Sequence, residues 1–317
     1  MMRCSLFLLI IIFVAKSAKA IPDTDTVKVG AYVMSVHDIN FHDKEYTARF
    51  WLWFLYKNKD FDFVKQLDIT NAKSIDQPQV LQDSIDHEQW SMLKMKCVMK
   101  ENWNVLDFPF DKQHLNVHIE NSLFDKNSLV FKADEKGSKY DPEGTLAGWE
   151  IKNFKVNVDE KLYETGFGDY RPGKDHQVFS GFNIEMDVER NAWGLFLKIF
   201  IGMYIAFLIA MVGFAPNPSE VEPRFGLPVG GLFAAVGNKY IIDSILPESA
   251  SFTLVDILHS LTFFTIFAIL VVSAICLKLH DKEKIEASIR MNKIGFRMIT
   301  IIYVAANLIL VALAATS

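Results

Sequence analysis

The chain is poor in cysteine, and that poverty excludes more than any other single property. Three cysteines occur in 317 residues, at positions 4, 97 and 276. Cys4 lies in an apolar leader and Cys276 in a long hydrophobic segment, so Cys97 stands alone in the polar half. No disulfide can close within that half once the leader is removed, which excludes a disulfide-stapled exported scaffold. Catalytic motifs are also missing. The chain has no HExxH, no glycine-rich phosphate loop and no Ser-His-Asp order, and its dispersed carboxylates form no readable pair. The sequence therefore offers no motif for an enzyme and asks for no cofactor. A net charge of −5 gives no reason to expect a nucleic-acid partner.

The averages conceal a split. Residues from about 22 to 190 mix polar and aromatic side chains, and those from about 193 onward are dominated by apolar runs. Residues 1–20 read as a signal peptide, with Arg3 as the positive head, Leu6 to Val14 as the apolar stretch and Ala18-Lys19-Ala20 as the cleavage site. An uncleaved anchor is the alternative, and either way residues 21–191 are exported. That region is strand-like: Val27 to Val33, Tyr46 to Tyr56 with its run Phe50-Trp51-Leu52-Trp53-Phe54, and segments near 91–99, 113–120, 128–132, 149–158 and 178–188. A short helix is expected near 79–90. Many short strands with almost no helix imply a β-sandwich. Four hydrophobic segments follow, near 193–214, 224–245, 254–279 and 294–315, each about the 20 residues that cross a bilayer. With the first domain outside, the loop after the third span is cytoplasmic. It carries Lys278, Lys282, Lys284, Arg290, Lys293 and Arg297, in keeping with the positive-inside rule. The fold class is thus β + α membrane, with residues 192–317 as a four-helix transmembrane domain.

One run connects the two halves. Phe108-Pro109-Phe110-Asp111-Lys112-Gln113 places a turn-forming proline between two aromatics, with a fixed anion after them. Any sandwich could hold such a turn. Ahead of four spans, however, the run resembles the signature loop of the pentameric ligand-gated ion channels, in a prokaryotic form without the disulfide. The resemblance extends to Val29-Gly30-Ala31-Tyr32-Val33, Phe50 to Tyr56, Leu146-Ala147-Gly148-Trp149-Glu150 and Met186 to Asn191. It covers nearly all of the mature chain.

The resemblance implies an immunoglobulin-like β-sandwich outside a bacterial inner membrane, five copies in a ring, and a small-molecule or proton ligand between subunits. It implies coupling residues Asp111 and Arg190 close to the turn at Asp43-Lys44-Glu45 and to the loop Pro247-Glu248-Ser249. Ligand-binding positions would be Asn71, Phe124, Asp125, Tyr163, Phe167 and Tyr170, the last three in a capping loop at about 159–176 that also holds Asp169, Arg171 and Lys174. Where animal receptors place a tryptophan, this chain has Ser122, so the aromatic cage for a quaternary amine is incomplete. The second span lines the permeation path for ions, and a count of three and four residues puts Gly226, Gly230, Phe233, Gly237, Tyr240 and Ser244 on one face. Phe233 would make an apolar constriction, and Glu222 a carboxylate ring leaning to cations. Glycine faces also serve close helix packing, which is the competing reading of that face. Two further groups are open. His114, Asn116, His118 and Glu120 share one strand face, either as a solvated surface or as metal ligands. Asp256 and His259 lie one turn apart, either as a pH-sensitive pair or as an interfacial pair.

Overall fold

The computed structural model describes residues 24–144, 148–171, 175–248 and 251–316. The expected signal peptide, Leu146, Ala147, Lys174 and Ser249 lie outside the described residues. Eleven strands come first: β1 (Asp25–Asn40), β2 (Glu45–Tyr56), β3 (Leu67–Ile69), β4 (Ala72–Ile75), β5 (Gln79–Ile85), β6 (Glu88–Lys100), β7 (Lys112–Asn121), β8 (Leu129–Ala133), β9 (Lys139–Tyr140), β10 (Trp149–Tyr163) and β11 (Gln177–Arg190). A single helical turn, α1 (Phe63–Gln66), precedes β3. Four long helices follow: α2 (Ala192–Val212), α3 (Val221–Asp243), α4 (Leu254–Asp281) and α5 (Ile285–Thr316), each long and apolar enough to cross a membrane. The chain is therefore a β-rich region followed by a multi-pass helical region.

The strands form two sheets. One runs β4-β6-β2-β1-β8, with β5 beside β6 and β9 beside β1; the other runs β10-β11-β7-β3. Strand alternation explains the aromatic run in β2. Phe50, Leu52 and Phe54 point inward and are fully buried, while Trp51 and Trp53 take the other face. Their inner face meets Leu115, Val117 and Ile119 of β7 and Phe182, Ile184 and Met186 of β11 in one core. Phe63 of α1 stacks on Phe54 at 4.0 Å between ring centres and closes that core at one end. Cys97 and Cys276 are both buried free thiols, and burial pushes the Cys97 thiol up to about 12.

The expected helix near 79–90 is a hairpin. β5 pairs with β6 from Gln79↔Lys94 to Ile85↔Glu88, and Asp86 and His87 make the turn with φ of 49° and 66°. Two positive φ values in a two-residue loop are what a strand twist requires. The usual Asn-Gly signal is absent, which is why the turn does not read from the sequence. All seven residues of β5 are exposed, so it has no apolar alternation either.

The helices carry their own signals. Thr253 and Asp256 form a reciprocal capping box at the start of α4. Pro228 lies inside α3, buried against the end of α2 beside Gly213. Gly231 is the close-packing glycine of α3, since an added Cβ would lie 2.6 Å from the Ala206 carbonyl oxygen. α5 begins nine residues before the expected span and contains 32 residues. At 1.5 Å per residue it is about 48 Å long, well beyond a hydrocarbon core of about 30 Å.

Candidate functional site

The sheets meet the helices through the 104–111 turn. Asp111 and Arg190 form a two-pronged pair there: Arg190 Nε donates to Oδ1 at 2.8 Å and Nη2 to Oδ2 at 3.2 Å. Gln113 Nε2 donates to Asp111 Oδ2 at 2.7 Å, and Gln113 also exchanges hydrogen bonds with the Asn104 backbone. The Asp111 side chain is 1% exposed and that of Arg190 12%. Chain order makes this pairing possible, because β7 begins one residue after Asp111 and runs antiparallel to β11, which ends at Arg190. The guanidinium also lies over three rings, Trp149 at 4.0 Å, Phe41 at 4.9 Å and Phe108 at 5.1 Å. A cation held by one carboxylate and three aromatic faces is both satisfied and oriented.

The turn grips both regions. Phe108, preceding a cis proline bond, is buried against Phe41 on the sheet side. Phe110 contacts Trp193 and Phe196 at the start of α2. Leu254 at the start of α4 donates its N–H to the Leu106 carbonyl at 2.7 Å. Trp103 Nε1 donates to the Asn40 carbonyl at 3.0 Å, tying in the β1–β2 turn. Asp43 lies in that turn with its carboxylate bound by Asn40, while its neighbour His42 lines a cleft with buried Pro247, Lys239 and Asp256. The 104–111 turn therefore touches the starts of α2 and α4, and its Val105 shares a cleft with Leu246 and Pro247 of the α3–α4 connection.

The other positions divide into two groups. Tyr163 donates to Glu120 Oε2 at 3.0 Å, and its ring meets Phe167 and Phe179 at 5.7 Å each. Glu120 Oε1 lies 2.6 Å from His118 Nε2, and His118 Nδ1 lies 2.6 Å from Asn183 Oδ1. Both ring nitrogens thus face acceptors, an arrangement that the imidazolium satisfies fully. The Glu120 hydrogen bond, outweighing burial, raises the His118 pKa. Burial and then Glu120 push the Tyr163 phenol up to about 12, so it is a donor throughout the physiological range. Burial, reinforced by Glu120, also raises the Asp68 pKa. Asn71, in the turn between β3 and β4, bridges to β7, donating to the Asn116 carbonyl and accepting from the His118 N–H. It therefore positions the strand that bears His118.

The remaining expected residues are elsewhere. Phe124 packs on Phe61 at 4.9 Å, and Asp125 organises its own turn through Asn127 and Ser128. Tyr170 is 96% exposed, so it does not join Tyr163 and Phe167. His114 does not converge with His118. It lies 2.7 Å from Asp187 on the outer face, and no group of three metal-binding side chains occurs among the described residues. Asp256 and His259 also separate: Asp256 caps α4 and binds Lys239 at 2.8 Å, whereas His259 is buried, with Nε2 at 3.2 Å from Asn238 Oδ1. Asn238 donates to the Ile199 carbonyl, so α2, α3 and α4 meet at one polar contact.

On α3, Glu222, Gly226, Gly230, Phe233, Gly237 and Tyr240 are all exposed, Phe233 at 72% and Tyr240 at 76%. An added Cβ at Gly226, Gly230 or Gly237 would meet nothing within 4 Å. Among the described residues, those glycines pack against no other element. No protein-family model matches the chain, and neither does any curated protein. Sequence reasoning missed the aromatic surround of Arg190 and the Glu120–Tyr163 bond. The alternation in β7 that brought His118 and Glu120 to attention was the only signal for the latter.

Proposed function

We propose that this chain is the subunit of a pentameric ligand-gated ion channel, with an immunoglobulin-like domain in the periplasm and four helices in a bacterial inner membrane. The observation that carries the reading is the Asp111–Arg190 pair in its ring of aromatics, set in a turn that touches the starts of α2 and α4. A sensor domain that must move a pore needs such a stiff, fully bonded connection. The ligand site is assigned to the Tyr163, Phe167, Glu120 and His118 cluster, with Asn71 as its positioning residue. Carboxylates of Glu120, Asp68 and Asp159 surround the single imidazole, a balance that fits a small cation or a proton better than an anion.

The exposed α3 face supports the pore assignment, because an apolar ring at Phe233 would exclude water until it widens. The same face favours a second reading, a non-conducting ligand sensor or scaffold of this fold. No serine or threonine occurs between Glu222 and Tyr240 to provide polar rings. Native mass spectrometry in detergent and current recording from the reconstituted protein separate the readings. The channel reading expects pentamers, and it expects Phe233→Ser to raise resting conductance while expression holds. It also expects Glu222→Gln to weaken cation preference. Monomers or dimers alone would refute the ring, and silent, well-assembled Phe233→Ser pentamers would leave the scaffold.

A further inference from the structure

We propose that Cys276 is a site of oxidation by hydrogen peroxide, and that its sulfenate is the anion that Arg224 lacks. Arg224 lies near the start of α3 and is fully buried. Its Nη1 donates to the Pro216 carbonyl at 3.0 Å and its Nη2 to Asn292 Oδ1 at 2.7 Å. Both acceptors are neutral. Among the described residues no carboxylate pairs with this guanidinium, and its Nε is buried without a partner. A buried cation in that condition is costly and calls for an anion. The Cys276 side chain of α4 lies beside the guanidinium. One turn earlier on the same face of α4, the Ser273 hydroxyl is also fully buried and unpartnered. It lacks even the bond to a carbonyl one turn back that Thr262 and Thr265 make in the same helix. Two donors without acceptors thus lie around one thiol, which is itself a weak acceptor.

The chemistry balances with one oxidant. Cys276 Sγ attacks a peroxide oxygen, an S–O bond forms and the O–O bond breaks. Sulfur is oxidised and peroxide reduced, and the departing hydroxide takes the thiol proton as water. The sulfenic acid then releases its own proton, and its oxygen accepts from Arg224 Nε and Ser273 Oγ. No disulfide follows within the chain, because the other described thiol, Cys97, lies in β6 of the sheets. Cys97 is equally buried, but its charged neighbour is Asp76, an anion. Thiols beside arginine are the reactive ones, and thiols in apolar surroundings are inert. Peroxide is small and uncharged, and its route is short: Cys276 lies near the end of α4, and helix ends open most readily. Oxidation ties the start of α3 to α4 through an ion pair that the thiol does not make.

The test treats the full chain in detergent with hydrogen peroxide, removes the excess with catalase, unfolds the chain in dimedone and maps the labelled peptides by mass spectrometry. Cys276 should carry the label while Cys97 stays reduced. R224Q should lose the label at Cys276. Labelling of Cys97 equal to or above that of Cys276, no label at either, or undiminished labelling in R224Q would overturn the site. Should R224Q melt early before any treatment, melting of the wild-type chain and of C276A decides. Peroxide should raise the melting temperature of the wild type relative to C276A, because only the wild type gains the ion pair. The same response in both, which methionine oxidation alone would give, would overturn the proposal.

Discussion

Replacing Asp111 tests the junction most directly, because three donors converge on its carboxylate: Arg190 Nε, Arg190 Nη2 and Gln113 Nε2. Asparagine keeps the shape but offers one acceptor oxygen and points an NH2 group at the remaining donors. A charge-assisted hydrogen bond contributes about 1.5–3 kcal/mol, and stripping one partner from a buried pair costs about 3–5 kcal/mol. Arg190 keeps its aromatic neighbours, which offset about 1 kcal/mol of that. Asp111→Asn should therefore destabilise the chain by about 3 kcal/mol, roughly 6–12 °C in melting temperature for a domain of this size. Arg190→Met should cost a similar amount, since it leaves a carboxylate buried with Gln113 alone. The double variant removes both charges and gives the aromatic surround a thioether, so it should cost less than the two singles together by about 2 kcal/mol. Thermal melting of the four proteins in one detergent gives the cycle. Additivity within about 0.5 kcal/mol would refute the coupling argued here.

Two further outcomes follow. The His118 pKa is raised above its ordinary 6.5 in the folded chain, so its contribution is complete below that value and disappears as pH rises through the folded pKa. His118→Gln should therefore lower the melting temperature more at pH 5.5 than at pH 9; an equal or reversed difference would remove the imidazolium from the cluster. Adjacent glycines on α3 should respond oppositely. Gly231→Ala pushes a methyl to 2.6 Å from the Ala206 carbonyl and should destabilise by about 1–3 kcal/mol. Gly230→Ala enters open space and should stabilise the helix by about 0.5–1 kcal/mol. Loss of assembly in Gly230→Ala with unchanged subunit melting would mean that the open face meets another subunit closely.

What could be read from the sequence was local. The four apolar segments, the strand alternation in β2 and β7, and the turn at Pro109 each depend on neighbours within a few residues, and each is in place. The early start of α5 was hidden because Ile285 to Lys293 is helical but charged, and hydropathy registers only the apolar part. The pairing of Asp111 with Arg190 came from resemblance, and the sequence pattern alone gives no register between β7 and β11. The rings around Arg190 come from positions 41, 108 and 149, on three separate elements. No periodicity links such positions, so only the folded chain brings them together. Asp256 and His259 failed for a related reason: one helical turn aligns two side chains, but what each meets is decided by the neighbouring helix.

The same distinction between local and long-range information bears on the two buried polar networks in the helices. Arg224 is fully buried and bonds the Pro216 carbonyl and Asn292, which in turn bonds the Phe214 carbonyl. His259 and Asn238 reach the Ile199 carbonyl, two turns into α2. Both networks therefore terminate on the α2 backbone or on the loop just beyond it. Polar groups in hydrocarbon need internal partners, and here each network uses its partners to join three or more chain segments. α2 is held by fixed hydrogen bonds two turns into the helix and again in the loop just past its end, while the apolar side chains between them leave the groove towards α5 open. A helix bundle anchored in this way resists sliding of α2 but tolerates changes in what fills its outer grooves.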